Sequence, residues 1–211
     1  MRKHMISCLM IILLCATGGI AQSRSKQPGS TPASATVTDI RKVDFLNFTY
    51  PSSLCSAEFG KQGIGKTVVV RKGEFKNKSV YFSVIEDKVI YGDVTGDGRE
   101  EAIVPVDCGA ITANFSRAEI YIYTLKDGRP TLVAAISDKD MERDYHRYYP
   151  ATESYWGVTG DGAKIRNGNL EIEVLTDGSH ASAQYIVTLE YHLSGESFGL
   201  LGKPQRKNSS Q

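Results

Sequence analysis

Ala118–Leu125 reads AEIYIYTL and Tyr185–Leu193 reads YIVTLEYHL. Both are rich in β-branched and aromatic residues, and from Val187 to Leu193 apolar residues alternate with polar ones. A period of two sends the two sets to opposite faces of an extended strand, whereas a helix would scatter them around its circumference. Lys66–Arg71 (KTVVVR), Ser79–Ile85 (SVYFSVI), Ala102–Val106 (AIVPV), Thr131–Ile136 (TLVAAI) and Leu170–Leu175 (LEIEVL) are built from the same residue types. Turn chemistry lies between them: Asp127-Gly128, Asn167-Gly168 and Ser194-Gly195. Tight hairpin turns need positive φ, which Gly adopts at little cost. Short strands joined by short turns predict a mainly β fold, an antiparallel meander with one wet face; an α+β arrangement is the alternative.

One segment departs from this pattern. Ser137–Tyr149 reads SDKDMERDYHRYY and stops at Pro150. Ser137 or Asp138 suits a helix N-cap, and acids crowd the first turn. Met141, Tyr145, Tyr148 and Tyr149 fall at i, i+4, i+7 and i+8, so one short helix is predicted to lay that face on the sheet.

The ends of the chain differ from its middle. Met1-Arg-Lys-His precedes an apolar run from Ile6 to Cys15, and Gly19-Ile20-Ala21 offers small residues for cleavage. That is the layout of a secretory signal peptide over residues 1–21. An uncleaved anchor and a lipid anchor on Cys15 are the alternatives; the run is short for a bilayer span, which needs ~20 residues. Residues 22–41 begin QSRSKQPGSTPASA and are expected to form a flexible linker. Residues 42–202 form a single β-rich domain, and 203–211 (KPQRKNSSQ) a disordered tail. The expected address is secreted, periplasmic or cell-envelope, with no transmembrane span after cleavage.

Charge and cysteine usage agree. The chain carries 25 Lys+Arg against 24 Asp+Glu. A near-neutral balance excludes a general electrostatic case for nucleic acid or anionic lipid. Outside the leader only Cys55 and Cys108 remain. In an oxidising compartment they form one disulfide; two buried free thiols are the alternative.

Gly60–Thr67 (GKQGIGKT) fits the letters of a phosphate-binding P-loop. Such a loop needs a buried strand before it and a helix starting at its lysine. Here Ser52–Glu58 does not read as strand and Val68-Val-Val does, so the match is rejected.

The letters VTGDG occur twice, at Val94–Gly98 and Val158–Gly162. The first copy supplies alternate oxygens: Asp93, Thr95, Asp97, the Arg99 carbonyl and Glu101. Calcium takes six to eight such oxygens. Asp side chains also brace turns by accepting nearby amides, with no ion needed. The loop resembles the D-x-[ND]-x-D-G-x-x-D loops of FG-GAP and VCBS-type repeats, with Thr95 and Glu101 as departures. The resemblance implies a calcium-binding loop between strands. Val89–Gly109 with EIYIYTLKDGRPTL is also similar to exported bacterial domains of the LppP/LprE lipoprotein type, which implies an envelope address. The second copy has Gly157 and Ile165 where the first has acids, and is expected to be a plain turn.

No G-x-S-x-G or H-E-x-x-H occurs. Asp177, Ser179 and His180 are too close in sequence to form a triad, which draws on separate elements. Tyr145, Tyr149, Tyr155 and Trp156 crowd one segment with Asp144, Arg147 and Glu153. They are candidate ligand-binding rings for a glycan or protein partner; burial beneath the sheet is the alternative. Asn47, Asn77, Asn114 and Asn208 stand in glycosylation sequons. The expectation is therefore a monomeric, exported, non-enzymatic β domain of binding or structural role, with a structural calcium loop. A glycan- or protein-binding module is the alternative, and a hydrolase is third.

Overall fold

The structure is a computed structural model and describes residues 37–112, 115–179, 182–195 and 197–209. The signal-peptide and lipid-anchor expectations, most of the linker, Asn114 and His180 lie outside the described residues. Along the chain come β1 (Thr49–Pro51), α1 (Ser53–Phe59), β2 (Thr67–Val69), β3 (Glu74–Lys76), β4 (Val80–Val84) and β5 (Ile90–Gly92). β6 (Glu101–Ala110), β7 (Ser116–Lys126), β8 (Arg129–Ser137) and α2 (Asp138–His146) follow. The last elements are β9 (Tyr155–Arg166), β10 (Asn169–Ser179), β11 (Ser182–Ser194), β12 (Ser197–Leu200) and β13 (Gln205–Asn208).

The fold is mainly β and antiparallel, but the strands form more than one meander. One sheet runs β3-β4-β6-β7-β8, with β5 also on β6. A second runs β9-β10-β11-β12, with β13 on β11, and β1-β2 make a separate ribbon. Alternation along β6 and β7 explains the division. Ala102, Val104, Val106, Cys108, Tyr121 and Tyr123 point into a core shared with the N-terminal residues Phe45, Tyr50 and Phe59. Ile103, Ile120 and Ile122 point the other way, into a core shared with Ile172, Val174, Val187 and Leu189 of the second sheet. β6 and the middle of β7 are therefore covered on both faces, which the near-continuous apolar run of Ala102–Val106 foreshadows.

Cys55 and Cys108 form a disulfide that ties α1 to β6, with Cα atoms 6.1 Å apart. The helix α1 was not legible in Ser52–Glu58. Ser52 gives its first turn no side-chain cap. Glu119 of β7 does so instead, accepting the Leu54 amide at 3.0 Å. The Gly60–Thr67 loop thus follows a helix and precedes a strand, the reverse of a phosphate loop.

The predicted helix is α2, and its start is a capping box. The Ser137 hydroxyl accepts from Asp140 N at 3.3 Å, and the Asp140 carboxylate accepts from Ser137 N at 3.1 Å. Met141 and Tyr145 are buried as the spacing requires, but Tyr148 lies beyond the last turn and is exposed.

Three expectations are corrected. Val158–Gly162 lies within β9 and is not a simple turn. Val158 pairs with Val174 and Ala163 with Ile172, so Thr159 to Gly162 bulge opposite Glu173 alone. Residues assigned to the polar tail form β13, paired with β11 from Tyr185 to Thr188. At the other end the fold begins before residue 42: the Val37 amide bonds Gly128 O at 2.9 Å, and Ile40 is buried.

Candidate functional site

The apolar face that β6 and β7 turn toward the second sheet does not run their full length. In register, Ile103 faces Ile122, Pro105 faces Ile120, Asp107 faces Ala118, and Gly109 faces Ser116. Large apolar pairs give way to small and polar ones, so the space between the sheets is not filled there. The result is a cleft of about 370 Å³, lined among others by Asp107, Asp138, Trp156, Thr159, Lys88 and Ile120. That volume suits one small ligand. A larger hollow of about 560 Å³ lies between Val37–Ile40 and the Asp127–Gly128 turn. Its charged lining residues Arg99 and Glu100 are exposed, and none of its lining acids is buried, so the cleft is the stronger candidate.

Each wall has a local cause. Asp107 shares the face of Ile103 and Pro105 on β6, and its Oδ2 accepts the Tyr81 hydroxyl of β4 at 2.7 Å. Asp138 is the first residue of α2, where a carboxylate is favoured by the helix dipole. Its Oδ2 accepts the Ala118 amide at 2.8 Å and its Oδ1 the Tyr155 hydroxyl at 3.1 Å. Trp156 follows on β9, about a third exposed, its indole N–H donating to Asp177 O at 3.2 Å. Gly157 has φ +102°, and a Cβ there would stand 3.8 Å from Asp138 Oδ1. The bulge then brings Thr159 and Gly162 to the cleft wall.

Burial raises both cleft carboxyls above the usual range, because a charged carboxylate loses hydration there. Their donors, and at Asp138 the charge of Arg117, pull the other way without cancelling it, while the charge of Asp107 adds to the rise at Asp138. Tyr81 is pushed up to about 12, by burial first and then by its bond to Asp107. Chemically, the cleft offers two carboxyls, Asp107 and Asp138, with Trp156 and Thr159 among its other lining residues. Carboxyls of this kind can accept from hydroxyl donors.

The sequence-selected residues part company in three dimensions. Trp156 lines the cleft; Tyr155 does not, but its hydroxyl bonds Asp138, which does. Tyr145 and Tyr149 do not line it; their rings stack at 4.9 Å over the C-terminal strand. Arg206 of β13 lies 3.9 Å from the Tyr149 ring centre and 4.4 Å from that of Tyr185, and it pairs with Glu153. The Tyr149 hydroxyl donates to Pro204 O at 2.9 Å. This half of the aromatic segment fastens the chain's end. Asp107 and Asp138 were missed by sequence reasoning. A signal for Asp107 existed: in IVPVD it has the parity of Ile103, an acid placed on an inward face.

In the Asp93–Glu101 loop every acid has protein donors. Asp93 accepts Gly96 N at 2.6 Å and Gly98 N at 2.8 Å. Asp97 is bonded to the backbone and guanidinium of Arg99. Glu101 is fully buried beneath the loop, accepting Val94 N at 3.1 Å, Thr95 N at 3.2 Å and the Thr124 hydroxyl at 3.2 Å. The ninth loop position is therefore a brace and does not present a carboxylate to the loop's outer side. Among the described residues, no three His, Cys, Asp or Glu side chains gather as a metal-holding group.

Comparison of the chain with protein-family models, with curated proteins and with solved structures finds no match in any of the three. Among the described residues no helix is long and apolar enough to cross a membrane.

Proposed function

We propose that the chain is an exported, non-enzymatic binding protein whose inter-sheet cleft takes a small saccharide-like ligand. One observation carries the reading: Trp156, Asp107 and Asp138 line one cleft. An aromatic face suits the C–H face of a sugar ring, and carboxylates accept from adjacent hydroxyls. The leader-like N-terminus and the likeness of Val89–Gly109 to LppP/LprE-type domains support an exported address. Trp156 is the chain's one tryptophan, so its fluorescence reports on the cleft directly. Titrating the full chain with simple sugars should shift that emission saturably. Calorimetry on Trp156→Ala should show affinity falling about tenfold or more, as loss of a stacked ring implies. Saturable binding unchanged by Trp156→Ala would place the ligand elsewhere.

A second reading attaches to the Asp93–Glu101 loop. The Thr95 hydroxyl lies beside the Asp97 carboxylate, at the third loop position where a ligand oxygen is wanted. On this reading calcium is held by Asp93, Thr95, Asp97 and the Arg99 carbonyl, and Glu101 orients the loop. The ion would be structural, bracing the connection from β5 to β6.

A further inference from the structure

The near-neutral balance of the whole chain hides an uneven distribution. Residues 59–81 hold Lys61, Lys66, Arg71, Lys72, Lys76 and Lys78 against Glu74 alone. Local contacts bring much of that charge to one end of the first sheet. Asn77, in the turn from β3 to β4, donates its Nδ2 to Gln62 O at 3.0 Å, so the loop after α1 lies on that turn. Gly63 permits the approach: it has φ +107°, and a Cβ there would stand 2.8 Å from Asn77 Nδ2. The Ile111 amide donates to Ser79 O at 2.8 Å, which brings the β6–β7 connection to the same turn. Phe115, just before β7, has its ring centre 6.1 Å from that of Phe59 at the end of α1. Lys61 and Lys78 therefore share one end of the fold with Ile111 and Phe115. Lys76 ends β3 there, and Lys66 leads into β2 from the same loop.

Exposed lysines without an ion pair are common on this protein, so charge alone does not single this end out. The apolar pair among them does. Ile111 is 41% exposed and Phe115 44%, and the lysines are exposed as well. Arg117 lies over the Phe115 ring at 4.5 Å, adding a further cation beside it. Glu58 of α1 pairs with Lys139, which leaves the charge of Lys61 and Lys78 uncancelled by it.

From this juxtaposition we infer that this end of the sheet docks on an anionic lipid bilayer, with Ile111 and Phe115 entering the interface and Lys61, Lys66, Lys76 and Lys78 meeting headgroup phosphates. The inference is independent of the cleft. Long, flexible lysines follow a surface of mobile anions without a fixed pocket. Apolar side chains that leave water for the acyl boundary add a second, non-electrostatic attraction, and peripheral binding of this kind draws on both. A soluble polyanion would meet the lysines but has no acyl layer to receive Ile111 and Phe115.

The test is co-sedimentation of the full chain with vesicles of phosphatidylcholine alone and of phosphatidylcholine mixed with phosphatidylglycerol. The wild type should bind the mixed vesicles more tightly than the neutral ones and weaken as salt rises. A lysine at an anionic surface is worth about fivefold in affinity, so Lys61→Gln with Lys78→Gln should cost about twentyfold. Lys126→Gln with Arg129→Gln removes the same charge at the opposite end of β7 and should cost about twofold or less. Ile111→Ser with Phe115→Ser should cost about tenfold. Equal losses from the two charge pairs overturn the proposal, since binding would then lie with the apolar leader or with diffuse charge. Binding that the serine pair leaves unchanged points to a soluble polyanion and overturns the bilayer assignment. A wild type that binds neither vesicle, or both equally, overturns it outright, so a variant that fails to fold does not protect the proposal.

Discussion

The Tyr155 hydroxyl donates to Asp138 Oδ1 at 3.1 Å, joining the first residue of β9 to the first residue of α2. It is one of two groups that hold this buried carboxylate, the Ala118 amide being the other. Tyr155→Phe removes the donor and leaves the ring. The charged form of Asp138 then loses a bond and the neutral form loses less. Melting at pH 7 should show a loss of about 1.5–3 kcal/mol, as for a hydrogen bond to a charged group, and a smaller loss at acid pH. An equal loss at both pH values would mean the contact is packing alone.

Stability should respond to pH at the cleft with a definite sign. Asp107, Asp138, Glu101 and Glu119 are all raised, chiefly by burial. The folded state then binds protons more tightly than the unfolded one. Each such group lowers stability as pH rises from the ordinary carboxyl value through the raised one. The lowered acids Asp97 and Glu100, paired with arginines on the surface, act in the opposite sense, but salt screens them. Asp107→Asn keeps an acceptor for Tyr81 and removes the charge. In high salt it should raise the melting temperature by about 2–4 °C at neutral pH. The gain should vanish once the wild-type carboxyl is protonated. A variant less stable than wild type at pH 7 would refute this account.

Glu119 is the remote cap of α1, holding Leu54 N at 3.0 Å and the Tyr121 hydroxyl at 2.5 Å. Glu119→Ala strands the Leu54 amide, while the Tyr121 hydroxyl keeps Pro51 O as acceptor at 2.5 Å; it should cost about 1–3 kcal/mol in denaturant unfolding. Glu119→Gln keeps an acceptor and should cost clearly less. Equal costs would deny the cap.

The Cys55–Cys108 bond spans 53 residues of sequence. Replacing both cysteines by serine should remove about 4 kcal/mol by the chain-entropy argument, read as a lower denaturant midpoint with little change in native sheet content.

The calcium reading separates cleanly from a self-braced turn. With an extracellular-type affinity, ion at ten times Kd should add about 1.4 kcal/mol, seen as a higher melting temperature. Asp97→Asn should abolish that rise and hardly affect the calcium-free protein, because Asp97 is exposed. Glu101→Ala should destabilise with or without calcium, because it removes the oxygen that binds the two loop amides. A wild type indifferent to calcium leaves the loop as a turn.

Local sequence determined a good deal. Alternation in YIVTLEYHL specified a strand because burial of one face is a local, period-two property. Ser137 and the acids after it specified the start of α2 because capping is settled within one turn. Cys55 and Cys108 paired because no other cysteine follows Cys15 in the sequence. Tertiary structure decided what depends on distant partners. Gln205–Asn208 is polar and reads as a tail, yet becomes β13 because Arg206 finds Tyr149, Tyr185 and Glu153 from three other parts of the chain. The second VTGDG became a strand bulge because β10 supplied pairing on both sides of it. Asp107 and Asp138, 31 residues apart in sequence, line one cleft because the register of β6 with β7 sets Asp107 beside Ala118, whose amide holds Asp138. Sequence patterning specifies which face of a strand is apolar; only the packing of two sheets determines where that face ends and leaves room for a ligand.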